Sequence, residues 1–393
     1  NAKLRGARVE FVQTLELARR MLKEEVFWLP HQYDFRYRFY PIPIHLNHHA
    51  ADPGRSLLLF GREEAVSDRC MYWIKVNAAN RYGYDKADFD GRVKFIEDKM
   101  GILEQVYKNP LGGRAVNLVP GEVPNDIYTD VLEVAIDRVQ FDIKEDHSIA
   151  QGVIEYLQSD NGRTIVKQPV MTTPYNVTRV GARDQIMGKL KKFGFPKRGL
   201  FKASDYLSTV VFHSVGDVCV SAREIMGWIE QSVRMMAKSD PSRTIGWTSP
   251  MGAPVVQPYR NYRKQKIETV LQWVTLAERD VTSPISVRRQ IQGGPPNVVH
   301  SWDGAHAQGT AVDCKDEDID VAFVHDNDWF HGDNMDRGSE ICRDQFIFLH
   351  EADQVQRLYD EWSTAYPDLT LPDIPKKGNL DLNVIRDSEY FFN

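Results

Sequence analysis

Apolar positions recur at helical spacing over most of the chain. Over 8–29, Val9, Phe11, Val12, Leu15, Leu17, Ala18, Met21 and Leu22 lie largely at helical intervals, and Pro30 supplies a stop. The stretches 55–59 (RSLLL), 69–80 and 88–100 read as further helices. Residues 122–158 read as helices, with Pro124 near a start and Ile127, Val131, Leu132 and Ala135 as the apolar face. A turn at Asp160-Asn161-Gly162 leads into a helix over 163–185, with Pro169 in its first turn and a kink at Pro174. Residues 205–236 are helical and too apolar for a surface position, which assigns them to the core. The period then changes. Turns and short strands are predicted over 245–266, and strands at TVLQWVTL, SPISVRRQI and the apolar run 321–324. An amphipathic helix over 341–362 closes the pattern. The order predicts an α+β fold that is mainly helical, with a small antiparallel sheet.

Several patterns carry candidate chemistry. On the helix over 163–185, Arg163, Lys167, Met171 and Tyr175 recur every fourth residue. Each step adds about 40° of rotation and about 6 Å of rise, so Lys167 and Tyr175 lie about 12 Å apart. That is the reach from a nucleotide's phosphates to its sugar and base, with cations at one end and a ring at the other. The same spacing also describes an amphipathic helix with a solvated basic edge. In YDFRYRFYPIP (33–43), Arg36 and Arg38 alternate with aromatic residues, so on a strand both share one face. That face suits a nucleic-acid backbone or a carboxylate; the alternative is an edge strand with exposed arginines. His45, His48 and His49 match no zinc spacing and are expected in a solvated loop. In PPNVVHSWDGAHAQG (295–309), His300, Asp303 and His306 cluster; the plain alternative is a helix start capped by Ser301 or Asp303. Asp326 ends an apolar strand, and Asp328 shares its strand face.

Composition narrows the choice. The chain has 393 residues, 42% of them apolar, which is enough for one large or two ordinary domains. It shows no signal peptide and no run suited to a bilayer. It begins at Asn1 rather than Met, as a processed or truncated product would. Its four cysteines lie far apart with no CxxC spacing, which argues against a disulfide framework or a zinc site and fits a reducing compartment. The net charge of −6 gives no whole-chain basic footprint. Basic residues cluster locally, at Lys189, Lys191, Lys192, Lys197, Arg198 and Lys202 and again at Arg260, Arg263, Lys264 and Lys266. Acidic residues gather between Asp313 and Asp328.

The stretch KQPVMTTPYNVTRVGARDQI resembles the substrate-binding helix of the phage and mitochondrial single-subunit RNA polymerases, close to K-x-x-VMT-x-x-YG-V-T. Other stretches agree. DFRYRFYP resembles DFRGRxYP with Tyr37 in a glycine position, and PPNVVHSWDGAH resembles PN-x-x-HS-x-D-x-SH with Ala305 for serine. VHDN and WFHGDNMD resemble the second catalytic motif, Gly112 to Leu118 resembles GGRAVNL, and the chain ends in an aromatic foot of the family's kind. The resemblance implies a right-hand palm and fingers, without the promoter-binding domain and thumb. It divides the chain into palm-side helices and the DFRYRFYP strand (1–120), fingers (121–245), a specificity-type hairpin (246–295) and palm with foot (296–393). It implies DNA-directed RNA synthesis from ribonucleoside triphosphates with Mg2+, on a DNA template with an RNA product. By that resemblance Asp326 ligates the metal, and Lys167 stabilises phosphate charge as a catalytic residue. Arg163 holds phosphate, and Met171, Tyr175, His300 and His306 contact substrate. Arg36, Arg38 and Arg114 meet nucleic acid. Asn176 replaces a glycine of the family.

One element is missing. Asn109-Pro110-Leu111 runs directly into Gly112, where the family carries DGSCxGxQH and its first catalytic aspartate. A catalytically inactive, nucleic-acid-binding remnant is therefore the alternative reading. A DNA polymerase of the related family is disfavoured by DFRYRFYP, HSWDGAH and Asn327 after the aspartate. A monomer is expected, in the mitochondrial matrix or a phage-infected host cytoplasm, working with a further N-terminal portion.

Overall fold

The computed structural model describes residues 2–97, 127–145, 148–159, 161–173, 177–268, 272–278, 280–324, 327–378 and 380–391. Arg114, Tyr175, Asp326 and the 109–112 junction lie outside the described residues.

The described chain is mainly helical. Helices α1 (Ala2–Met21), α2 (Asp52–Arg55), α3 (Asp68–Tyr82) and α4 (Phe89–Glu97) precede α5 (Ile127–Lys144), α6 (Ser148–Gln158), α7 (Gly162–Thr172), α8 (Arg179–Lys192) and α9 (Leu200–Val218). They are followed by α10 (Val220–Ser239), α11 (Val287–Asp316), α12 (Met335–Glu351) and α13 (Gln354–Ala365). The strands form separate antiparallel pairs: β1 (His31–Tyr33) with β2 (Phe39–Pro41), β3 (Gly246–Thr248) with β4 (Pro254–Val256), β5 (Arg263–Glu268) with β6 (Trp273–Glu278), and β7 (Val321–Phe323) with β8 (Asp328–Phe330). Among the described residues no helix is long and apolar enough to cross a membrane.

Two apolar clusters hold the fold. The first joins α5 to α9 through Val131, Ala135, Val153, Leu157, Ile165, Val166, Ile186, Leu190 and Leu207. The second joins α10, β3, β4, α11 and α13 through Trp228, Ile229, Val233, Trp247, Val255, Val298 and Trp362. Helix α10 therefore belongs to the second core, and the change of core falls at Cys219. The C-terminal segment folds back: Tyr390 is buried against Phe89, and Phe391 meets Phe346 of α12 edge to face.

The differences from the sequence expectations have local causes. Helix α1 ends at Met21, well before Pro30, and Val9, Phe11 and Val12 are exposed. Thr14 is its buried anchor, donating to the His45 and Glu10 carbonyls. No helix runs through 55–59: α2 stops at Arg55, and Leu57 and Leu59 are exposed. The helix over 163–185 is two helices. Thr172 and Thr173 donate their hydroxyls to Gln168 and Pro169 carbonyls at the end of α7. Thr178, in extended conformation, then caps α8 through the Gly181 amide. Pro169 lies two turns into α7, not in its first. The helical region 205–236 likewise breaks at Cys219, whose ψ of 53° leaves the helical range. SPISVRRQI is not a strand; Ile285 makes an isolated bridge to Arg260 and α11 begins at Val287.

Trp362 is the keystone of the second core. It is 1% exposed, stacks on Trp228 at 5.8 Å and donates its indole N–H to the Gly246 carbonyl at 2.9 Å. Trp362→Ala is expected to cost about 3–5 kcal/mol, measured as a lowered urea midpoint with unchanged slope.

Candidate functional site

The arginine motif forms a tight turn, not a strand. The β1–β2 hairpin turns at 34–38, where the Tyr37 amide donates to the Asp34 carbonyl and the Asp34 amide to the Arg38 carbonyl. Asp34 organises the turn: its carboxylate accepts from the Arg36 amide at 2.8 Å, the Arg38 amide at 3.2 Å and the Arg36 guanidinium. Tyr37 has φ 63°, in the left-handed region that glycine enters freely and that costs other residues about 1–2 kcal/mol. This conformation gives a physical reason for a glycine at that position. Here the ring packs against Tyr33 at 5.8 Å.

The turn docks on one face of α11. Arg36 Nη1 donates to His300 Nδ1 at 2.7 Å, which fixes that nitrogen as the acceptor, because guanidinium only donates. Arg38 Nε meets Asp303 Oδ2 at 2.7 Å. Gln308 donates to the Tyr37 carbonyl at 3.0 Å. Gly304 lies under the turn, where an added Cβ would stand 2.8 Å from the Tyr37 oxygen. The alternation of Arg36 and Arg38 therefore reaches successive turns of α11, and both arginines meet protein carboxylates. The cap alternative for Ser301 and Asp303 also fails, since both lie inside α11; Ser301 accepts the Trp247 indole N–H at 2.9 Å.

A shallow depression opens here, lined by Arg38, Phe39, Asp303, Gly304, Ala307 and Phe323. Phe39 stacks on Phe323 with centroids 6.0 Å apart. Phe323 ends β7, and Val324 N donates to the Asn327 carbonyl at 2.8 Å to turn the chain into β8. Asp326 belongs to this turn in sequence and lies outside the described residues. Asp328 accepts the Cys342 thiol at 3.3 Å. Burial and the neighbouring Asp328 push the Cys342 thiol far up, and the same causes push Cys314 to about 11, so both thiols stay protonated.

His300 and His306 face different partners. His306 Nε2 donates to the Cys342 carbonyl of α12 at 2.9 Å, while His300 serves the arginine turn. Behind His306, Phe346 lies 4.3 Å from His350, which burial, His306 and Lys377 lower to about 4. The three histidines at 45–49 are not in a solvated loop. His48 is buried and His49 Nε2 donates to the Phe323 carbonyl at 2.8 Å. Among the described residues no three His, Cys, Asp or Glu side chains converge as a metal site.

Helix α7 buries Ile165, Val166, Pro169 and Val170 and turns Arg163, Lys167 and Met171 to another side. Arg163 and Lys167 both lie over the Tyr128 ring of α5, at 5.2 and 5.4 Å from its centroid. Met171 is exposed. Tyr128 carries no sequence signal, because its partners lie across a helix–helix contact.

The profile of the DNA-dependent RNA polymerase family matches residues 64–115 and 108–370. The chain belongs to this family, the single-subunit type of phages and organelles. It is 32% identical to DNA-directed RNA polymerase 2B, chloroplastic/mitochondrial, of Nicotiana tabacum and to DNA-directed RNA polymerase 2, chloroplastic/mitochondrial, of Arabidopsis thaliana. It is 31% identical to DNA-directed RNA polymerase 1, mitochondrial, of Nicotiana sylvestris. Each comparison covers 100% of this chain and 45% of the relative, so the chain spans about half the length of the polymerases it matches. The first alignment runs over 460 positions against 393 residues here, so at least 67 (460 less 393) are occupied in the relative alone. The two profile segments of this polymerase-family chain meet at 108–115.

Gly304→Ala is expected to push the arginine turn off α11 and destabilise the chain by about 1–3 kcal/mol, read by denaturant unfolding. His350 gives a pH test. Its folded pKa lies below its unfolded 6.5, so the unfolded chain gains a proton that the folded chain refuses as pH falls from 6.5 to about 4. Stability should fall across that window by about 1–3 kcal/mol, and His350→Gln should reduce the fall.

Proposed function

We propose that this chain is the palm-and-fingers portion of a DNA-directed RNA polymerase, binding ribonucleoside triphosphate on α7 and template–product hybrid beside the arginine turn. The observation that carries the reading is the pair Arg163 and Lys167 on one side of α7, both held over the Tyr128 ring. Two preset cations meet a triphosphate without first being gathered, which limits the side-chain entropy lost on binding. Arg163 suits bidentate contact with phosphate oxygens, and Lys167 a point charge where negative charge develops. Met171 and Tyr175 would follow toward sugar and base. The β5–β6 hairpin exposes Arg263, Lys264 and Lys266, which fits contact with duplex phosphates.

Mg2+ prefers carboxylate and phosphate oxygens. Asp326, at the β7–β8 turn, is the residue proposed to hold it together with the substrate's phosphates. Bound there, the ion would lower the pKa of the attacking hydroxyl and screen the triphosphate. Absence of the DGS motif, with a profile match in two pieces and relatives longer across the alignment, supports the reading that a segment bearing the first aspartate is lacking near 109–112. The second reading, a remnant that binds hybrid without synthesis, draws on the same observation. The two share their binding surfaces and differ only in turnover. The relatives' mitochondrial and chloroplastic names favour an organelle over a phage-infected cytoplasm.

Titration of the chain with magnesium-ATP tests the nucleotide site. Lys167→Ala should weaken binding by about tenfold, as loss of a charged hydrogen bond does, and Tyr128→Leu by a few-fold, as loss of a cation–π support does. Unchanged affinity in Lys167→Ala would remove α7 as the phosphate site. Any extension of a primed template should vanish in Asp326→Ala; synthesis at the parent's rate would refute that metal ligand.

A further inference from the structure

We propose that His31 and His48 form a binding site for a zinc-class divalent transition-metal ion, separate from the polymerase's Mg2+ chemistry. His31 is the first residue of β1, and His48 lies in the loop after β2. Their Nε2 atoms face each other at 3.3 Å, with ring centroids 5.0 Å apart. Two nitrogens bound to one tetrahedral ion at about 2.0–2.1 Å each stand about 3.3–3.4 Å apart, the spacing found here.

The rings are set as ligands are. His31 Nδ1 lies 2.7 Å from the Leu29 carbonyl, which can only accept, so Nδ1 carries the proton and Nε2 presents a lone pair. Metal-binding imidazoles are oriented by this kind of bond from the other nitrogen. Without an ion, the His48 Nε2–H donates to His31. With an ion, that proton moves to His48 Nδ1, the nitrogen away from the ion. No proton is lost in the exchange.

His48 is buried and His31 exposed, so an ion reaches the pair from the His31 side. No third protein donor converges among the described residues, so water completes the shell. Imidazole nitrogens select zinc-class ions over magnesium, which keeps the two metals apart. An ion here would tie β1 to the 45–50 loop. That loop is also joined to β7, through His49 and the Phe323 carbonyl.

The test is calorimetric titration of the full chain with zinc chloride in magnesium buffer, with a thermal melt in parallel. One saturable site per chain is expected, with a zinc-dependent rise in Tm. His31→Ala, at an exposed position, should keep the fold, weaken zinc binding by about tenfold or more and abolish the rise. His213→Ala, an exposed histidine of α9, should change neither. Zinc binding of equal strength in His31→Ala, or no saturable binding by the parent chain, would overturn the assignment. Neither outcome bears on nucleotide binding by α7.

Discussion

The docking of the 34–38 turn on α11 is the constraint on which the rest of the second core depends. It joins residues more than 260 positions apart through Arg36–His300 and Arg38–Asp303. The Arg38 side chain is 11% exposed and Asp303 32%, so the pair is only partly screened by solvent, and loss of one partner would leave the other charge in a costly place. Gly304 sets the distance of closest approach, and Gln308 takes up the Tyr37 carbonyl that the turn would otherwise leave unpaired. Phe39 then carries the hairpin across to Phe323, so the strand leading toward Asp326 takes its position from the same contact.

The two cores divide the labour. The first is a helix bundle whose apolar faces fill with Val, Ile and Leu, leaving Arg163 and Lys167 outside it over Tyr128. The second is stitched by indoles: Trp228, Trp247 and Trp362 pack together, and each donates its N–H to an oxygen within the fold. Aromatic residues with a satisfied polar edge fix orientation as well as volume. The side that carries Arg163 and Lys167 and the side that carries the arginine turn are thus set by different cores. A mutation in one core would be expected to disturb its own side first.

The helices with a strong apolar stripe were legible in the sequence. Val131 and Ala135 on α5 face the core as their spacing predicts. Boundaries were less so, because Thr178 and Cys219 break helices by local backbone choice that periodicity does not see. The arginine motif was recognisable as a motif, but its alternation suggested a strand; the left-handed Tyr37 turns it instead. Arg36, Arg38, His300 and Asp303 could be singled out separately, while their pairing could not, since it depends on how α11 packs. Tyr128 and the His31–His48 pair were invisible for the same reason: each becomes significant only through a residue on another element.

The central claim is that the chain keeps the binding surfaces of a single-subunit RNA polymerase and lacks part of its catalytic site. The most direct measurement is extension of a recessed RNA strand on a DNA template. It compares this chain with a version that carries the corresponding stretch of the Nicotiana tabacum relative between Pro110 and Gly112. The account predicts that both bind the hybrid and that only the version with the added stretch extends it. Extension by the unaltered chain at a comparable rate would contradict it.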